Sequence, residues 1–355
     1  MSGSSTNDFS FGLFLNAGEM LGDTHQEVFA FAIEQARLAE TLGYDDVWVT
    51  EHHFIPFGIN SNALTLAGFL LGKFSNIRVG TAVTLAPQYS PVQLAEQVAI
   101  LDQVSQGRLD FGIGRGGYRL DFDVFDIPYD RWDSEIVRTA EQLEAAWSDR
   151  LSEVNEAGPK AAFRPNSYSS PQPPLFLATA SPDALRFAAE RELSLLHYFA
   201  TPFSAREKVQ TAYKSFLSRG VDAPEHVHTL IAIVCDDPKP VREQLYTALL
   251  QSFADGDWPG VPQQKAHVDQ HGKPIARDVM ARGVADRAIV GNPEDVADDI
   301  WELRTRMGAT RIVINMECIG EKDITLRSIQ RFAEEVRPLL RKKFNSQVTA
   351  PLSAA

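Results

Sequence analysis

Short, continuously apolar runs alternate with longer amphipathic stretches along most of this 355-residue chain. The runs at 10–15, 46–50, 77–85, 109–113, 175–178, 193–198, 229–235 and 311–316 predict strands buried on both faces, because their apolar residues are consecutive rather than alternate. Between them apolar residues recur at helical spacing. Over 24–42, Val28, Ala32, Ala36 and Ala39 share a face, Thr24 and Glu27 make a capping box, and Gly43 stops the helix. A helix follows near 62–71. The next has Ser90 as cap, Pro91 at its first position, Gln93 reaching back, and Leu94, Val98 and Leu101 facing inward up to Gly107. Further helices are predicted over 134–147, after a Ser181 cap with Pro182, over 205–219, 241–253 and 324–340, and after an Asn292 cap with Pro293.

Eight such strands, each followed by a helix, predict a parallel (β/α)8 TIM barrel with insertions after strands 4 and 7. A doubly wound sheet is the alternative, but it usually stops at about five to seven strands. The barrel forms a single domain over 1–345. Residues 157–174 read as irregular, 254–287 as a long Gly-, Pro- and charge-rich segment, and 346–355 as a frayed tail.

In such a barrel the carboxyl ends of the strands share one face, and functional groups belong there. Strand two ends in Glu51, His52, His53 and Phe54, and strand three in Ala86, Pro87, Gln88 and Tyr89. Strand four ends in Gly114, Arg115, Gly116, Gly117 and Tyr118, strand five in Thr179, Ala180 and Ser181, and strand six in His197, Tyr198 and Phe199. The fourth of these also spells G-x-G-x-x-G through Gly112, Gly114 and Gly117. A dinucleotide reading needs a helix opening on those glycines. Residues 119–128 show no helical period and end in Pro128, so the nicotinamide fingerprint is set aside. Glycine still lets a backbone approach a flat or phosphorylated ligand, and the guanidinium of Arg115 suits a phosphate.

His52 and His53 are consecutive at a strand end, so their side chains point to opposite sides and do not share a metal. One of them faces the barrel mouth as an acid, base or hydrogen-bond donor; the other reading is a packing histidine beneath a helix. Arg115 is either a phosphate ligand or a surface arginine paired with a carboxylate. Ser181 is first a helix cap, which is compatible with anion binding at the same N-terminus. Phe54, Phe57, Tyr118 and Phe122 read as core.

Composition narrows the partners. A formal net charge of −13 suits neither a nucleic-acid backbone nor an anionic membrane surface. No apolar run approaches the roughly 20 residues of a spanning helix. Residues 1–8 lack the basic and apolar regions of a signal peptide, so a cytoplasmic protein is expected. Its two cysteines, Cys235 and Cys318, read as buried thiols rather than a disulfide.

Taken together, Phe11–Phe14, Thr50–Phe54 with Phe57 and Gly58, Val79–Ala82, Leu101–Arg108, Phe111–Tyr118 with Asp121, Phe122 and Phe125, and Gly291–Asp295 resemble the bacterial luciferase-like flavin-dependent monooxygenases. The likeness runs from about Phe11 to Phe344, dense in the first 130 residues and sparse from 130 to 290. The resemblance implies FMN, bound as FMNH2 from a separate flavin reductase, adding O2 to form a flavin C4a-peroxide that oxidises an organic small-molecule substrate. It matches His52 to the family's catalytic histidine, and Arg115 and Ser181, with Thr179 and Ala180 alongside, to its phosphate contacts. Ala82–Val83 falls where the family has a non-proline cis peptide supporting the flavin ring, and Gly114, Gly116 and Tyr118 are expected among the cofactor-binding residues. The 254–287 segment matches a loop that covers the site, and a homodimer is expected. Where the luciferase α subunit has a reactive cysteine this chain has Gly114, and a second phosphate arginine has no match beyond the 130–133 region around Arg131. An F420-dependent hydride-transfer enzyme of the same superfamily, a non-catalytic flavin-binding protein and a plain hydrolase barrel are the alternatives.

Overall fold

A computed structural model describes residues 9–19, 23–55, 57–150, 162–255 and 275–348. Its ten strand segments are β1 (Ser10–Leu15), β2 (Asp46–Val49), β3 (Arg78–Thr81), β4 (Thr84–Leu85), β5 (Leu109–Gly114), β6 (Leu175–Ala178), β7 (Ser194–His197), β8 (Val227–Val234), β9 (Ile289–Gly291) and β10 (Arg311–Asn315). All pair in parallel. The order β10-β1-β2-β3-β5-β6-β7-β8 closes where β10 pairs with β8, Arg311 opposite Val227. This is the expected eight-stranded barrel. The predicted third strand is divided: β3 bonds to both β2 and β5, the chain then breaks step at a cis Ala82–Val83 peptide, and β4 continues along β5 alone.

The helices that cover the barrel are α1 (His25–Thr41), α2 (Ala63–Lys73), α3 (Pro91–Ser105), α4 (Arg119–Val124), α5 (Arg131–Trp147), α6 (Pro182–Glu190), α7 (Phe203–Phe216), α8 (Pro238–Asp255), α9 (Arg277–Arg287), α10 (Pro293–Met307), α11 (Lys322–Arg331) and α12 (Arg337–Val348), the last two joined by a π-helical turn. The Thr24–Glu27 capping box forms with both of its reciprocal bonds, and Asn292 caps α10 through Asp295 N at 2.9 Å. α1 buries the face predicted for it, Val28, Ala32, Ala36 and Ala39, and α3 buries Leu94 and Val98 with Leu101 half-buried. Among the described residues no helix is long and apolar enough to cross a membrane.

Several local expectations are corrected. Ser90 and Ser181 occupy N-cap positions, but neither hydroxyl bonds to its helix. The stretch read as lacking helical period contains α4, too short to display one. The end of the 254–287 segment is α9, its start belongs to α8, and the short β9 follows on the edge of β8; residues 256–274 lie outside the described residues. The last helix reaches Val348, past the start of the predicted tail, whose residues 349–355 also lie outside. Both cysteines are free thiols, Cys318 buried and Cys235 only half-buried.

Candidate active site at the barrel mouth

Strand ends deliver most of one cavity. Its volume is about 300 Å³. Phe14 comes from β1, Glu51 and His52 from the end of β2, and Phe57 from the turn beyond. Ala82, Val83 and Leu85 come from the β3–β4 step, Gly114 to Tyr118 from β5 and its turn, Ala178 from β6, Leu196 and Tyr198 from β7, and Thr229 from β8. Its lining is largely apolar, with Glu51, His52, Arg115, Tyr118, Tyr198 and Thr229 as the polar members.

His52 and His53 part company as strand alternation requires. The His52 ring lies edge-on to Phe57 at 5.4 Å and to Tyr118 at 6.3 Å, centroid to centroid. Its Nδ1 is buried without a hydrogen-bond partner, so Nε2 is the ring nitrogen left to the cavity. Burial, with a smaller contribution from His53, lowers its pKa to about 4. The imidazole is therefore neutral at pH 7 and able to accept a proton. Tyr118, pushed up to about 12 by burial, keeps its phenol proton. Glu51 anchors the wall by accepting from Ala63 N at the start of α2 (2.7 Å) and from Leu85 N (3.1 Å).

The glycine-rich turn is set by close packing. A Cβ on Gly114 would lie 2.6 Å from Val83 Cγ2, so only glycine lets β5 pass the Ala82–Val83 step this closely. The guanidinium of Arg115 lies over the Trp132 ring, 3.9 Å from its centroid, and Trp132 Nε1 donates to Gly116 O at 3.1 Å. Gly114 pairs with Ala178, so the Arg115 turn and the Thr179–Ala180–Ser181 turn leave the barrel side by side. There Ser181 N donates to Thr179 Oγ1 at 3.2 Å and the two hydroxyls stand 3.3 Å apart.

Of the sequence-predicted site residues, His52, Ala82, Val83, Gly114, Arg115, Gly116 and Tyr118 line the cavity; Thr179, Ala180 and Ser181 follow Ala178 just beyond its lining. Phe122 and Phe57 are buried in the core as expected, Phe57 also forming part of the cavity wall; Tyr118 is half-buried on that wall, and Phe54 is exposed. Sequence reasoning gave no role to Phe14, Leu85, Leu196 or Thr229. Their signal was inward register near strand ends, which a buried run does not display. At β7 it is Tyr198 that meets the cavity; His197 faces outward to His226 and His228.

His53 instead lines an outer cleft of about 1050 Å³ with Asn62, Tyr89, Ser90, Phe125, Arg131 and Glu135 among its walls. Arg131, the residue nearest to a second phosphate arginine, lies there, its Nε 3.3 Å from Glu135 Oε1. Among the described residues no group of three His, Cys, Asp or Glu side chains is placed to hold a metal ion.

A barrel whose mouth gathers these groups is the architecture of a family, and comparison identifies it. Residues 9–311 match the luciferase-like monooxygenase model, so the chain belongs to that family of enzymes. Among curated relatives, the alkanal monooxygenase alpha chain of the Kryptophanaron alfredi symbiont is 26% identical, the match covering 94% of this chain and 99% of that one. The oxygenase component of flavin-dependent trigonelline monooxygenase from Acinetobacter baylyi is 30% identical over 51% of each. A monooxygenase from Streptomyces bottropensis has the same fold, with TM-score 0.77, 21% identity and coverage of 93% and 99%. So does the oxygenating constituent of 3,6-diketocamphane monooxygenase from Pseudomonas putida, solved with FMN, at TM-score 0.70, 18% identity and coverage of 93% and 98%. An F420-dependent secondary alcohol dehydrogenase shares it at TM-score 0.69, 17% identity and coverage of 94% and 99%.

Proposed function

We propose that this enzyme is the oxygenase of a two-component system. It takes FMNH2 from a separate flavin reductase and uses O2 to oxidise an organic substrate, a natural product or a carbonyl compound. The observation carrying this reading is the convergence of His52, the Ala82–Val83 step and the Gly114–Tyr118 turn on one cavity. The residues fit a flavin: Gly114, Gly116 and Gly117 line the cavity without side chains, and Arg115 brings a guanidinium to the same lining. The trigonelline enzyme's oxygenase component and the FMN complex of the diketocamphane enzyme support the cofactor and the reductase.

In this reading Ala82, Val83, Gly114 and Gly116 carry the ring, while Arg115, Thr179, Ala180 and Ser181 hold the phosphate. Bound reduced flavin supplies the two electrons that activate dioxygen. His52, neutral and desolvated, accepts or returns a proton at Nε2, and Tyr118 donates a hydrogen bond. Phe14, Phe57, Leu85 and Leu196 keep water from the reacting atoms. A homodimer is part of the proposal, supported by the exposed apolar side chains Phe69 of α2 and Ile100 and Val104 of α3.

Anaerobic FMNH2 mixed with oxygen tests the reading. The protein is expected to bind FMNH2 stoichiometrically and slow the return of oxidised-flavin absorbance relative to free FMNH2. Tight F420 binding without any preference for FMNH2 would overturn it. Sedimentation velocity checks the dimer.

A further inference from the structure

Three turns from distant parts of the chain meet behind His52. The first follows β1. Asn16, Ala17 and Gly18 form a tight turn in which Ala17 has φ 51°, the left-handed region that side chains other than glycine seldom enter. The second, residues 57–60, runs back past the imidazole. The third is the 3-10 turn Glu317–Ile319 after β10.

Glu317 ties the first turn down. Its side chain is 2% exposed, Oε2 accepts from Asn16 N at 3.1 Å, and Oε1 accepts from Gly18 N at 3.0 Å. Gln35 Nε2 of α1 adds a third donor at 3.3 Å. Neighbouring backbone N–H groups around a left-handed residue form an anion-binding nest. Here the group in the nest is the protein's own Glu317 carboxyl, whose pKa burial raises against the lowering effect of the surrounding donors.

The first turn then fixes the second. Asn16 Nδ2 donates to Phe57 O, and Ile59 N donates to Ala17 O at 2.8 Å. A Cβ on Gly18 would come within 2.5 Å of Phe57 O, so the two backbones are in contact. The second turn in turn fixes the ring. A Cβ on Gly58 would lie 2.5 Å from His52 Nδ1, and His52 N donates to Asn60 O at 2.9 Å. The imidazole is thus backed by the chain on its Nδ1 edge.

We infer that Glu317 is the positioning residue for His52, its carboxylate holding the Asn16–Gly18 turn so that Phe57 and Gly58 press against the Nδ1 edge of the imidazole. Glu317 acts on the ring through two intervening turns. The inference rests on the proposed role of His52, but the placement it describes is measurable without flavin.

The test uses the full chain carrying Glu317→Gln, which keeps the shape but turns an amide N–H toward the backbone donors. Ring NMR of ligand-free protein should show the His52 titration midpoint rising by about one pH unit or more from its lowered position. With FMNH2 and substrate, kcat should fall about tenfold or more while KM moves less than about threefold. Asn16→Ala, which removes the link to Phe57 O, should reproduce both changes and decides the matter alone should the Gln variant not fold. Tyr44→Phe removes a buried bond to Ile329 O and should lower the melting temperature while leaving the His52 titration in place. An unchanged His52 midpoint in folded Glu317→Gln or Asn16→Ala overturns the inference. Shifted midpoints with no flavin-dependent turnover in the wild type would instead sink the functional reading and leave the positioning intact.

Discussion

The inner cavity and the outer cleft each receive one of two consecutive histidines, and the contrast shows how a strand end sorts chemistry. His52 enters a cavity of about 300 Å³ in which burial keeps the imidazole neutral. His53 enters a cleft more than three times larger, its Nε2 3.8 Å from Glu51 Oε1 and its ring edge-on to Phe125 at 4.9 Å. One residue of offset separates a half-buried imidazole among the aromatic rings of the cavity from a buried imidazole beside a carboxylate. Arginines divide in the same way: Arg115 lines the cavity, whereas Arg131 lines the cleft within reach of Glu135.

The sharpest break of this comparison is kinetic. His52→Gln should lower kcat by about 10²- to 10⁴-fold, the usual contribution of a positioned acid or base, whereas His53→Gln should cost less than tenfold by the same measure. Equal losses in steady-state assays would erase the distinction between the two regions. Next in size is cofactor affinity. Arg115→Ala should weaken FMN binding about tenfold to a hundredfold, the loss of a charge-assisted contact of roughly 1.5–3 kcal/mol. Arg131→Ala should change it less than about threefold, as read by fluorescence titration.

A third set of imidazoles serves neither region and bears on stability rather than on turnover. His197, His226 and His228 pack between β7, β8 and α7, with Leu195 N donating to His226 Nδ1 at 3.1 Å and Gln210 Nε2 3.2 Å from His228 Nε2. Burial, helped by nearby Arg206 and Lys214, lowers His197 to about 3 and His226 to about 4, and His228 well below its ordinary value. The folded state keeps these rings neutral, whereas the unfolded chain protonates them below about pH 6.5. Protons therefore favour unfolding. Stability should hold above pH 6.5 and fall toward pH 4, by on the order of 1 kcal/mol per pH unit for each ring. Urea melts at pH 7 and pH 5 check the slope, and His226→Asn should make it shallower.

Sequence pattern made the barrel legible because parallel strands buried on both faces leave uninterrupted apolar runs, and Ser10–Leu15 and Leu175–Ala178 appear with the bounds expected. Motif likeness placed Ala82–Val83 at a cis step, and the step is there. What stayed hidden had short range or none. Helix α4 and strand β9 are too brief to show a period. The hydroxyl of Ser181 stands 3.3 Å from that of Thr179 and makes no bond to its helix, a choice of partner that composition does not encode. Phe57 and Tyr118 are apolar in sequence whether they fill a core or floor a cavity. The partnership of Glu317 with Asn16 spans 301 positions and has no local trace.

The closure of β10 onto both β1 and β8 has a consequence for biosynthesis. A nascent chain that has not yet released residues 311–317 from the ribosome leaves two sheet edges bare and the turn behind His52 without its anion. His52 is thus translated early but receives its backing late, so fragments that stop short of the final strand are expected to expose unpaired sheet edges and to aggregate rather than to complete the cavity.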